Sequence, residues 1–154
     1  MKARIVIDQR IAIATTPDTI FNFACDYRND PDWRSGVEEM SIDSTGDTHT
    51  GDQTQEVMRV LGRTTRTRGI ITAHEPCSHT VFRTVAGDLI AAGYRQTRRM
   101  GDESAFTYHA EALLDRRLRF FARTIERLLN RRVARDLRKL ADILTSPGTN
   151  ALSN

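Results

Sequence analysis

Residues 118–144 read LRFFARTIERLLNRRVARDLRKLADIL, and no other stretch limits the fold of this chain as strongly. Leu118, Phe121, Ile125, Leu129, Val133, Leu137, Leu140 and Leu144 recur in steps of three and four, which sets them along one side of an α-helix. At about 1.5 Å per residue that helix runs roughly 40 Å, long for a single domain. Its apolar stripe needs a partner of similar reach. No second segment has the helical period over such a length, so the partner is a sheet. The stripe advances slightly more than the roughly 3.6 residues of one turn, so it drifts around the helix toward the C-terminus. A helix crossing a twisted, curved sheet diagonally requires that drift.

The rest of the chain supplies the strands. Residues 3–13 alternate, with Ala3, Ile5, Ile7, Ile11 and Ile13 on one parity and Arg4, Asp8 and Arg10 on the other, which predicts a first strand with one buried face. Thr16 is a good N-cap, Pro17 suits the first helical position and Asp18 complements the positive helix end, so a short helix follows and ends near Asp26. Residues 27–33 read as a turn and a brief second helix closed by Trp33, a plug over the core or a pocket mouth. Six strands are then predicted at 36–43, 53–61, 63–74, 79–85, 89–100 and 104–114, separated by turns rich in Gly, Asp and Pro. Connections that short make successive strands antiparallel. The fold class is therefore α+β, in the order β-α-α-β-β-β-β-β-β-α, as a single domain over residues 1–146 with a disordered tail at 147–154.

Of the 154 residues 39% are hydrophobic and 28% charged, and no run approaches the roughly 18 apolar residues of a membrane span. The start, MKARIVIDQRIAIATT, is broken by Arg4, Asp8, Gln9 and Arg10 and is no signal-peptide core, so the expected location is cytoplasmic. Cys25 and Cys77 lack CxxC spacing and read as two reduced thiols. The net charge of +3 hides an asymmetry, because residues 115–139 carry ten Lys/Arg against three acids, a net +7, leaving −4 for the remainder. Arg116, Arg119, Arg123, Arg127, Arg131, Arg135 and Arg138 read first as the solvated face of the long helix. Without an aromatic platform or a nucleic-acid motif, no nucleic-acid partner is expected, although the same face could attract acidic lipid or dock an acidic protein.

The run PDTIFNFACDYRNDPDW followed by SGV resembles the START-like (SRPBCC) superfamily, which includes polyketide cyclases and dehydrases, plant pathogenesis-related allergens and lipid-transfer domains. Pro17, Ile20, Phe21, Asp26, Trp33 and Gly36 carry the likeness at the N-terminus. Ser104, Phe106 and Tyr108 stand at the places of a T-x-V-x-W strand, with Ser and Tyr replacing the usual Thr and Trp. Leu137 and Leu140 match the LxxL of the closing helix, so the resemblance spans residues 3–144. It implies a helix-grip fold, a bent antiparallel sheet wrapped around the long C-terminal helix with a cavity between them. Ala91, Ala92, Gly93, Ala110, Ala112 and Ala122 are small enough to leave a void of a few hundred Å³.

No GxSxG, HExxH, P-loop or Rossmann fingerprint occurs, which removes the main support for hydrolase, kinase or dehydrogenase readings. His49, His74, His79 and His109 show no metal-ligand spacing, and neither a metal nor a cofactor is implied. His109 and Glu111 share a strand face and could serve as a base and its orienter, but the parity of Phe106 and Tyr108 sends both outward. The candidate ligand-contacting residues are Trp33, Met58, Phe82, Tyr94, Phe106, Tyr108, Phe121 and Ile125, each an ordinary core residue unless a cavity exists. Tyr94 and Tyr108 could offer hydroxyls to a ligand carbonyl or carboxylate. Arg83 fits either strand parity, and Arg132 with Asp136 reads as a local i,i+4 ion pair.

The leading expectation is a domain that binds a hydrophobic small molecule, lipid or polyketide-like. The alternatives are a cyclase or dehydratase that assists enolate chemistry by positioning, and an interaction module using the basic helix. Catalytic residues are unassigned and a homodimer stays open. An ionisable cluster inside the cavity, within hydrogen-bond reach of a ligand, separates enzyme from binder.

Overall fold

A computed structural model describes residues 1–147; the expected tail falls, from residue 148 on, outside the described residues. Seven strands form one antiparallel sheet: β1 (Ala3–Ile13), β2 (Val37–Ile42), β3 (Gln53–Val60), β4 (Arg63–Glu75), β5 (His79–Gly87), β6 (Ile90–Met100) and β7 (Glu103–Leu114), in the spatial order β1-β7-β6-β5-β4-β3-β2. Between β1 and β2 lie α1 (Pro17–Ala24), a single 3-10 turn (Tyr27–Asn29) and the short α2 (Asp30–Trp33). Thr16 caps α1 by accepting from the Thr19 amide, as its hydroxyl and position predict. A second 3-10 segment, Arg116–Phe121, leads into α3 (Ala122–Thr145). This is the helix-grip arrangement, a curled half-barrel closed on its concave side by one long helix.

The long helix begins later than its apolar period suggests. Asp115 accepts from the Arg117 amide and the Leu118 amide donates to the Asp115 carbonyl, which tightens residues 116–121 into 3-10 geometry. Leu118 and Phe121 therefore leave the stripe, and Phe121 is 60% exposed. From Ile125 onward the stripe faces the sheet, with Ile125, Leu137, Leu140 and Leu144 all buried.

Helix α3 also covers the β1 edge of the sheet and is tied to the turn that leads into β2. On the β1 edge Glu126 accepts from the Val6 amide (2.8 Å), and Asn130 accepts from the Asp8 amide (3.0 Å) while donating to the Val6 carbonyl (2.9 Å). These side chains satisfy backbone groups that an edge strand would otherwise expose to other chains. Arg132 donates to the Ser35 carbonyl in the turn before β2 and to the Arg59 carbonyl (3.0 Å) at the end of β3. Asp136 accepts from the Ser35 hydroxyl at 2.7 Å. Arg132 and Asp136 thus form no ion pair with each other; a turn packed against α3 draws each away. Gly36 makes that approach feasible: its φ is +84° and a Cβ there would meet the Arg132 guanidinium and lie 2.7 Å from the Arg59 carbonyl.

The apolar interior divides into two clusters along α3. The larger holds Ile13, Ile20, Phe21, Trp33, Phe106, Leu137, Leu140 and Leu144; the smaller holds Ile5, Ala112, Leu114 and Ile125. Cys25 is buried and Cys77 exposed, and both are free thiols. Among the described residues no helix is long and apolar enough to cross a membrane.

Candidate functional site

The strand register explains why space remains between the two clusters. One row across the concave face is Ile5, Ala112 and Ala91; the next is Ile7, Ala110, Gly93 and Phe82. The two central strands contribute only Ala and Gly to these rows, so the sheet under Leu129 and Val133 is not filled by large side chains. Gly93 is required there, since a Cβ would lie 2.9 Å from the Ala110 Cα and 3.0 Å from the Phe82 ring. The result is a cavity of about 140 Å³ beneath the middle of α3, smaller than the few hundred Å³ expected. Its apolar wall comes from Ile5, Ile7, Met40, Met58, Val60, Phe82, Leu89, Leu129 and Val133.

The third row is of another kind. Gln9, Tyr108, Arg95 and Thr80 stand opposite one another on β1, β7, β6 and β5, with large polar side chains at the two central positions where the row above has Ala110 and Gly93. Arg95 is 1% exposed and meets the fully buried Asp30 with two hydrogen bonds, Nη1 to Oδ1 at 2.7 Å and Nη2 to Oδ2 at 2.6 Å. Nη1 also donates to the Ala24 carbonyl at 2.8 Å. Arg34 Nη1 donates to Asp30 Oδ2 and to Glu56 Oε2, each at 2.8 Å. The guanidinium of Arg95 stacks 4.2 Å above Tyr27 and 5.4 Å from Trp33, and that of Arg34 lies 5.5 Å from Tyr108. Two cations and two carboxylates thus neutralise one another at one end of the cavity, framed by aromatic faces.

Burial opposes charge on Arg95, but the Asp30 carboxylate overrides it and raises the guanidinium pKa above its ordinary value. Arg34 behaves likewise: desolvation works against its charge, and Tyr108, Glu56 and Asp30 hold it on. Arg95 keeps its Nε–H without a hydrogen-bond partner among the described residues. Across the cavity, burial pushes the Asp136 carboxyl up, against the lowering by the Ser35 hydrogen bonds and the charges of Arg132 and Arg34. Glu56, Arg95, Tyr108, Arg132 and Asp136 all line the cavity, which gives its apolar chamber an ionisable end. Among the described residues no group of three or more His, Cys, Asp or Glu could hold a metal ion.

Residues 4–145 match the family described as polyketide cyclase / dehydrase and lipid transport. The chain belongs to that family. Solved structures share the fold at low identity. A protein from Thermus thermophilus, TTHA0849, has a TM-score of 0.77 at 14% identity, covering 97% of this chain and 99% of its own. A START superfamily protein from Mycobacterium smegmatis has a TM-score of 0.76 at 12% identity, covering 91% and 99%. The Zhui aromatase/cyclase from a Streptomyces species has a TM-score of 0.74 at 11% identity, covering 92% and 94%. No curated protein matches the sequence.

Within this cyclase/dehydrase-family fold the residues singled out from sequence separate into groups. Met58, Phe82 and Tyr108 line the cavity together. Trp33 and Phe106 do not reach it; they pack edge to face at 6.0 Å beneath the polar row, so Trp33 is a core plug and not a mouth residue. Ile125 belongs to the small cluster at the far end. Phe121 is turned to solvent by the 3-10 segment, and Tyr94 stacks on His109 at 4.9 Å on the convex face. His109 sits there between Asp8 and Glu111, each 3.6 Å away and remote from the cavity wall. The side chain of Arg83 is exposed, while Thr80 on the same strand is buried, so no buried cation arises at Arg83.

Sequence reasoning missed Asp30, Arg34, Glu56 and Arg95. A signal was present for one of them: if Ala91 and Gly93 face inward, a period of two sends Arg95 inward and Tyr94 outward.

Proposed function

We propose that this protein binds a hydrophobic small molecule, lipid- or polyketide-like, with its apolar body beneath Leu129 and Val133 and its polar end toward Arg34, Glu56, Tyr108 and Asp136. The observation that carries this reading is the division of one cavity into an apolar wall and an ionisable end. A ligand with a carbonyl or carboxylate at one terminus matches both parts, and the apolar wall supplies most of the driving force. Fluorescence titration with an anilinonaphthalene sulfonate, followed by displacement with oleate, tests it. Saturable binding is expected, and Ala110→Leu, which fills the chamber, should weaken it about tenfold or more while the thermal transition stays cooperative. Binding that never saturates, or that Ala110→Leu leaves unchanged, rejects the proposal.

A second reading, a cyclase or dehydratase, is favoured by Asp136. Its carboxyl is buried, lines the cavity and has a pKa raised by that burial, which makes it a stronger proton acceptor than a solvated carboxylate. In this reading Asp136 removes an α-proton from a bound polyketide chain, and Arg34 stabilises the enolate oxygen. Asp136→Asn should then abolish turnover of a polyketide substrate while retaining probe binding; turnover that survives the substitution removes Asp136 from the chemistry.

A further inference from the structure

We propose that the Arg116–Phe121 turn and the first turns of α3 dock on an anionic lipid bilayer. Phe120 is 80% exposed, Phe121 60% and Leu128, seven residues on along the helix, 48%. Leu118, within the turn itself, is exposed as well. Two exposed phenyl rings with two leucines on one turn and the helix that follows it are an unusual load for a solvated surface.

Charge selects the partner. Arg116, Arg117, Arg119, Arg123 and Arg127 are all exposed, and none forms an ion pair among the described residues. The two acids among them are turned to the protein's own backbone: Asp115 accepts from the Arg117 amide and Glu126 from the Val6 amide. Arg119 lies 4.6 Å over the Phe120 ring, so cation and aromatic present one surface. Arginines at the headgroup phosphates with phenyl rings at the acyl boundary describe an interfacial anchor. A nucleic acid would use the cations but has no place for Leu118, Phe121 and Leu128.

The location adds a use for such docking. Leu89, Leu114 and Leu129 line the cavity at the end of the sheet where the turn begins, two residues beyond β7. Resting on the ligand-binding reading, the anchor would bring that end of the chamber against the lipid from which an apolar cargo is taken.

Vesicle flotation of the full chain tests the docking. Vesicles of phosphatidylcholine with about 30% phosphatidylglycerol should bind at roughly 50 mM salt and release at roughly 500 mM, while pure phosphatidylcholine should not bind. Phe120→Ala/Phe121→Ala should weaken binding about tenfold with an unchanged thermal midpoint, since both rings are solvated. The proposal is overturned if anionic vesicles are ignored at low salt, or if the double variant binds them as well as the parent does. It is also overturned if duplex DNA binds as tightly as the vesicles, or if ultracentrifugation finds a dimer that the double variant dissociates. Probe titration on the same proteins keeps the two readings apart. Probe binding without vesicle binding sinks the docking alone; vesicle binding without probe binding sinks the cavity reading alone.

Discussion

Arg95 on β6 and Asp30 at the start of α2 form a two-pronged ion pair in which both side chains are sealed from solvent. The pair ties the small helices to the centre of the sheet, and its two sides are not equally replaceable. If Arg95 is lost, Asp30 keeps Arg34 at 2.8 Å; if Asp30 is neutralised, Arg95 has no carboxylate left and keeps neutral acceptors, such as the Ala24 carbonyl, and aromatic faces. An uncompensated buried charge costs about 3–5 kcal/mol, so Asp30→Asn should lose that much stability in urea unfolding and Arg95→Met less. The double variant, which buries neither charge, should recover part of the Asp30→Asn loss. A single Asp30→Asn variant within about 1 kcal/mol of the parent would show that the pair does not hold α2 in place.

The β1 edge offers a separate test. Asn130 uses one side chain to satisfy the Asp8 amide and the Val6 carbonyl, and a short apolar replacement leaves both to solvent. Asn130→Ala should therefore cost about 1–3 kcal/mol and, more specifically, raise amide exchange at Asp8 above that at β1 amides paired with β7. Uniform loss of protection across β1 would mean that the helix holds the whole strand, not its edge groups.

The architecture was legible because it rests on periodicity. The stripe from Ile125 to Leu144, the alternation in β1 and the turn residues between strands are local patterns, and each element forms within a few residues of its expected bounds. The helix start was not, because Leu118 and Phe121 fit the apolar period while the Asp115 cap sets 3-10 geometry. The polar end of the cavity was hidden for another reason. Asp30 and Arg95 are 65 residues apart, and an arginine on a strand reads as solvent-facing until the register puts it beside Tyr108 and Thr80. Charge pairing across strands and helices has no signature in a linear pattern; only the parity shared with Ala91 and Gly93 pointed to Arg95.

Asp136 makes the pH response of the fold predictable in sign. Burial raises its carboxyl pKa in the folded chain, so folding favours the protonated form. That contribution is complete below the ordinary carboxylate value and is lost as pH rises through the raised one, because ionisation then leaves a desolvated charge held by Ser35 and the more distant arginines. Asn at this position still accepts from the Ser35 hydroxyl but cannot ionise. The thermal midpoint of Asp136→Asn minus that of the parent should therefore move in favour of the variant as pH rises from roughly 4 to 7, with other titrations cancelling in the difference. A difference that is flat, or that moves toward the parent, would mean that Arg132 and Arg34 more than offset the desolvation and that Asp136 is an ordinary ionised carboxylate at neutral pH, which would also remove the ground for giving it a proton-transfer role.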